Sequence, residues 1–218
     1  MDKVPASLEA AIKADLAPVR RLRPPSARVL WLTPLALFTL VAASRIFSLR
    51  EDASVLGWAL TWGTSVLQMA LALALIAVAL RHAIPGRSMR PSAFTLTVGL
   101  AAALVGVVTL RTWNVSPITI RFAWVEIGQI CFVGTFVSAL PLLVASVVLA
   151  GRAFSVRPWS SGALYGLGAG IGADAGWRLY CHFSDPAHVF PTHSGGILAV
   201  AVSGMLISGA MIRWKARA

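Results

Sequence analysis

Residues 124–150 read WVEIGQICFVGTFVSALPLLVASVVLA. A helix that crosses the hydrocarbon of a bilayer needs about 20 mostly apolar residues, whereas a membrane barrel strand needs about 9–11 with alternating polarity. This stretch is too long and too evenly apolar for a strand, so it predicts a membrane-spanning helix. Comparable stretches fall at about Val29–Phe47, Ser54–Leu80, Ser92–Leu110, Gly162–Cys181 and His193–Ile212. The expected fold is all-α: a polytopic bundle of six transmembrane helices.

Composition agrees with lipid as the solvent. The 218 residues are 57% hydrophobic and 12% charged with a mean hydropathy of +0.77, which is too apolar for a soluble domain. The net charge of +11 would point to nucleic acid in a soluble protein. In a membrane protein the same excess marks the loops retained in the cytoplasm, and no direct nucleic-acid contact is expected. With the amino terminus inside, the cytoplasmic side holds Lys3, Lys13, Arg20, Arg21, Arg23, Arg28, Arg81, Arg87, Arg90, Arg152, Arg157, Arg213, Lys215 and Arg217. The outer loops hold Arg50, Arg111 and Arg121, with Arg45 and Arg178 inside helices near their outer ends. Both termini are therefore expected in the cytoplasm.

Residues 1–28 form a polar, basic segment without the central apolar stretch of a signal peptide. Leu8, Ile12 and Leu16 recur at four-residue spacing, which predicts a short amphipathic helix. Arg20, Arg21, Arg23 and Arg28, with Pro24 and Pro25 among them, then lead into the membrane. Such a segment either meets anionic lipid headgroups or docks a cytoplasmic partner. Residues 29–213 make the membrane domain and 213–218 a short basic tail.

That orientation gives the two cysteines and three of the four histidines a common side. Cys181 ends the fifth helix at the outer surface, and Cys131 lies in the outer part of the fourth. His182, His188 and His193 occupy or border the following loop together with Asp185, while His82 is cytoplasmic. Thiolate and imidazole groups suit zinc, copper or cadmium, and two thiols also suit oxidation to a disulfide. Against this stands the plain reading that Cys131 packs as a small hydrophobe and the histidines decorate a loop. Glu126, one turn before Cys131, is a further in-membrane acid.

The fifth helix carries two small-residue ladders, Gly162, Gly166, Gly170 and Gly168, Gly172, Gly176. Their spacing permits close backbone approach, so this helix is expected at the centre of the bundle. Asp174 and Arg178 continue the first ladder and can pair as a buried ion pair. Paired carboxylates, a nucleophile elbow and a phosphate-cradling loop are all missing from the sequence, so it predicts no enzyme.

The run GLGAGIGADAGWRLYC at Gly166–Cys181, continued by SDP-x-HV at Ser184–Val189 and by His193, resembles the NrsF family, as does PVRRLRPP at Pro18–Pro25. These are bacterial negative regulators of sigma F, an extracytoplasmic-function sigma factor. The resemblance implies an anti-sigma factor of the bacterial inner membrane that holds its sigma factor and releases it on heavy-metal or oxidative stress. It implies a stress-sensing role for a membrane-region cysteine pair, matched by Cys181 within the motif and by Cys131 in location. The amino-terminal Leu8, Ile12, Leu16, Arg20, Arg21 and Arg23 would then contact sigma. A small transporter or metal-efflux protein using Asp174 and Glu126, and a structural subunit of a larger membrane complex, are the alternatives.

Overall fold

The computed structural model describes residues 5–15, 22–118, 124–151 and 155–215. Among them are helices and no strand. A peripheral helix α1, Ala6–Asp15, precedes α2, Pro25–Leu30, and α3, Thr33–Ile46. Next come α4, Ala53–Trp58, which kinks at Gly57 where φ is 67°, a π-helical turn at Ala59–Gly63 and α5, Thr64–His82. Helices α6, Pro91–Val115, α7, Trp124–Ala150, and α8, Pro158–Trp177, follow. The chain ends in α9, Pro186–Val189, a second π-helical turn at Phe190–Ser194 and α10, Gly195–Lys215.

Four of these rods, Ala53–His82, Pro91–Val115, Gly128–Ala150 and Pro186–Trp214, are long and apolar enough to cross a membrane. Their outward faces fit that solvent. Leu96, Leu100 and Val107 on α6, Val144 and Val148 on α7, and Leu198, Val202 and Leu206 on α10 are all exposed. Apolar surface on that scale is covered by lipid or partner in a stable protein. Thr33–Ile46 is apolar but shorter.

Helix α8 owes its low apolarity to its place. It packs against α10, α5, α7 and α3, and every residue from Gly168 to Leu179 is buried. A helix surrounded by protein needs small residues for close approach more than apolar ones for lipid. Each glycine ladder serves a different neighbour. A Cβ at Gly162 or Gly166 would run into the carbonyl oxygens of Gly204 or Val200 on α10, and one at Gly170 into Ile197. Gly168 and Gly172 lie against Ala72 of α5, and Gly176 against the Thr39 carbonyl of α3.

The two ends of the bundle differ. Arg28 donates to the Leu149 carbonyl at the last turn of α7, and Arg213 covers the Trp159 ring at the start of α8 at 5.3 Å. Arg28 and Arg213 thus lie at one end of the bundle. Cys131, near the start of α7, and Cys181, just past α8, lie at the other.

A buried clamp closes that second end. The Arg50 guanidinium donates to both Asp52 carboxylate oxygens, at 2.6 and 2.9 Å, and to the Ser184 hydroxyl at 2.8 Å. It also reaches the carbonyls of Arg178 and His182, both at 3.3 Å. Ser116, at the end of α6, donates to Asp52 at 2.6 Å. Burial alone would raise the Asp52 carboxyl, but the Arg50 and Ser116 hydrogen bonds hold it below its ordinary 3.8.

Candidate functional site

Cys131 and Cys181 are fifty residues apart in sequence, and their sulfurs lie 3.5 Å apart. Both are free thiols and both are buried. Helix α7 supplies the first. The second sits where the chain leaves α8, its amide donating to the Trp177 carbonyl at 2.8 Å. Trp177 lies over Gly134 of α7, where a Cβ would strike the indole, and its Nε1 donates to Ser138 at 2.8 Å. The absence of a side chain at Gly134 therefore lets the end of α8 close on α7 and bring the thiols together.

Two histidines complete the cluster. His188 Nε2 lies 3.4 Å from the Cys181 sulfur, and the donor atoms of Cys131, Cys181, His188 and His193 all lie within 4.8 Å of one another. The cluster could hold a metal ion. The histidines meet because the helix is π-wound between them. In an α-helix, residues five apart point well away from each other at 3.6 residues per turn, whereas a π turn closes at i+5 and brings them to one side. The imidazole centroids are 5.5 Å apart. From the sequence these histidines are expected in or beside a loop; the structure carries them on a helix that starts at Pro186.

His182 and Asp185 stand outside the cluster. The Asp185 carboxylate caps α9, accepting from the Ala187 amide at 2.8 Å. The His182 ring lies beside Phe183, and its carbonyl belongs to the Arg50 clamp. The fourth histidine, His82, is buried far from the thiols, 2.8 Å from the Ser160 hydroxyl, with its Nδ1 accepting from the Met89 amide.

Behind the cluster runs a polar network inside the bundle. Asp174 pairs with Arg178 at 2.8 Å, four residues on, as the ladder spacing allows. The same carboxylate accepts from Gln68 of α5 at 2.9 Å and lies 2.8 Å from His193 Nδ1. Arg178 also donates to Thr109 of α6 at 2.8 Å. Gln68, Thr109 and the Arg50–Asp52 clamp were not singled out from the sequence. Gln68 carried a signal, since an amide inside a long apolar span has to find a partner.

The expected sigma-contacting residues divide. Leu8 and Ile12 are exposed on α1, where Lys13 and Glu9 pair at 2.8 Å. Arg23 stands 5.5 Å over the Trp31 ring. Leu16, Arg20 and Arg21 lie outside the described residues.

No curated protein matches the chain, and no solved structure does. The NrsF family profile, described as negative regulator of sigma F, matches residues 12–214. That span contains both thiols, both clustered histidines and Asp174, and it is nearly the whole chain, so the protein belongs to the NrsF family of negative regulators of sigma F.

Proposed function

We propose that this protein is a membrane anti-sigma factor that holds an extracytoplasmic-function sigma factor of the sigma F type at the bacterial inner membrane and releases it when Cys131 and Cys181 meet a soft metal or an oxidant. Family membership supports the sigma factor as partner. The observation that carries the sensing is the approach of two buried thiols, 3.5 Å apart, from separate helical elements. A ligand that favours one arrangement of those elements shifts the population toward it.

In this reading the chain crosses the bilayer six times. The short α3 and the protein-enclosed α8 join the four apolar rods, both termini face the cytoplasm, and membrane lipids cover the exposed apolar faces. The amino-terminal segment 1–28 and the carboxy-terminal 213–218 then share the cytoplasmic end, with the thiols at the outer end. Leu8, Ile12 and Leu16, with Arg20, Arg21 and Arg23, offer an apolar and basic surface to the sigma factor. An oxidant acts by taking two electrons and two protons from the thiol pair. With hydrogen peroxide the products are the disulfide and two waters.

Residues 1–28 fused to a soluble carrier test where sigma binds. Retention of the sigma factor on the fusion is expected. Its failure to bind there would move the contact to the other cytoplasmic loops.

A further inference from the structure

The surroundings of the thiol pair distinguish between the ligands it could take. His188 and His193 are each 1% exposed and have ring nitrogens within 4.8 Å of the sulfurs, which adds two metal-ligating groups to the thiol pair. His193 Nδ1 is engaged by Asp174, which leaves Nε2 as the nitrogen on the thiol side, and that atom has no hydrogen-bond partner among the described residues. A tetrahedral zinc with bonds of about 2.0–2.3 Å places its donor atoms roughly 3.3–3.8 Å apart. Two of the six separations, 3.5 Å for Cys131 to Cys181 and 3.4 Å for Cys181 to His188, fall on that edge, and the other donor pairs lie within 4.8 Å, close enough for an ion to draw them in.

Charge narrows the ligand further. Two thiolates and two neutral imidazoles around a dication sum to zero, the balance that costs a buried site least. A monovalent copper ion would leave a net negative charge there. Asp174 adds none, because Arg178 neutralises it. Its carboxylate instead fixes the proton on His193 Nδ1 and turns Nε2 toward the ion, the usual outer-shell arrangement of a metal-bound histidine. A cavity of about 150 Å³ lined by Ile130, Tyr180, His182 and Phe183 adjoins the two cysteines.

We propose that Cys131, Cys181, His188 and His193 form one tetrahedral site for a divalent cation of the zinc and cadmium type, with Asp174 positioning His193. This deepens the sensor reading above by naming the ligand and the two histidines that complete its shell. Loading the site would tie α7, the end of α8 and the start of the last rod to a single ion.

The test uses the full chain, purified in detergent, reduced and kept free of oxygen, with cobalt(II) alone as the probe. One cobalt per chain is expected, with the intense visible bands of tetrahedral coordination and thiolate charge transfer, and zinc or cadmium should displace it. His188→Ala and His193→Ala should each abolish the tetrahedral spectrum. His193→Cys guards against misfolding, since it should keep tetrahedral coordination and gain charge-transfer intensity. A weak six-coordinate spectrum, no binding, or a tetrahedral spectrum that survives loss of both histidines would overturn the site. Cobalt binding on these terms with sigma still held in the presence of zinc or cadmium would leave the site standing and remove its sensor role. Release of sigma by cadmium from a protein lacking the tetrahedral spectrum would do the reverse.

Discussion

His193 Nδ1 lies 2.8 Å from the Asp174 carboxylate, and Asp174 is at the same time paired with Arg178 and held by Gln68. One buried acid thus joins the histidine beside the thiols to α5 and, through Arg178 and Thr109, to α6. A change at the sulfurs meets His193 through packing against His188, and from His193 a contiguous route of hydrogen bonds runs into the helix bundle.

Asp174→Asn keeps the shape of that acid but loses its charge. Metal affinity should fall about 10- to 100-fold, as for other outer-shell partners of metal-bound histidines. Asp174→Ala strands Arg178 in the bundle and should cost about 3–5 kcal/mol of stability. Cobalt titration and thermal unfolding in detergent measure the two effects separately.

Gly166→Ala pushes a methyl group into the Val200 carbonyl of α10, so α8 and α10 must separate. Overpacking of this kind costs about 1–3 kcal/mol. Gly106→Ala on α6 meets nothing within 4 Å and should be neutral or stabilise by up to about 1 kcal/mol. Unfolding midpoints of the two variants in one detergent should move in opposite directions or differ by that margin.

The Arg50–Asp52 clamp should make stability sensitive to acid. Asp52 is held below its ordinary 3.8 in the folded protein. Its contribution is therefore complete above that value and is lost as pH falls through the lower, folded one. Asp52→Asn should flatten this part of an unfolding profile taken from about pH 6 to about pH 3. Arg50→Ala leaves a buried carboxylate unpaired and should cost about 3–5 kcal/mol.

Helix α8 shows how far the sequence could be read. Four-residue glycine spacing and the Asp174 to Arg178 interval are local patterns, and helical geometry turns them into faces without knowledge of the neighbours. The partners of those faces depend on tertiary packing, which no spacing encodes. Gln68 and Thr109 are distant in sequence from Asp174, and Arg50 read simply as a loop charge. The thiols were assigned to one side from charge bias, but their contact depends on Trp177 settling over Gly134. The meeting of His188 and His193 was hidden for a different reason. It requires a π turn at Phe190–Ser194, and α-helical periodicity points the two rings apart.

In the proposed mechanism a signal read at Cys131 and Cys181 loosens a sigma factor held at the far end of the bundle. The most direct measurement is gentle purification of the protein from native membranes, with and without cadmium, followed by assay of the co-purifying sigma factor. Sigma should accompany the untreated protein, cadmium should release it, and Cys131→Ser combined with Cys181→Ser should retain sigma under both conditions. Unchanged cadmium-triggered release from that double variant, or no sigma factor with the untreated protein, would contradict the mechanism.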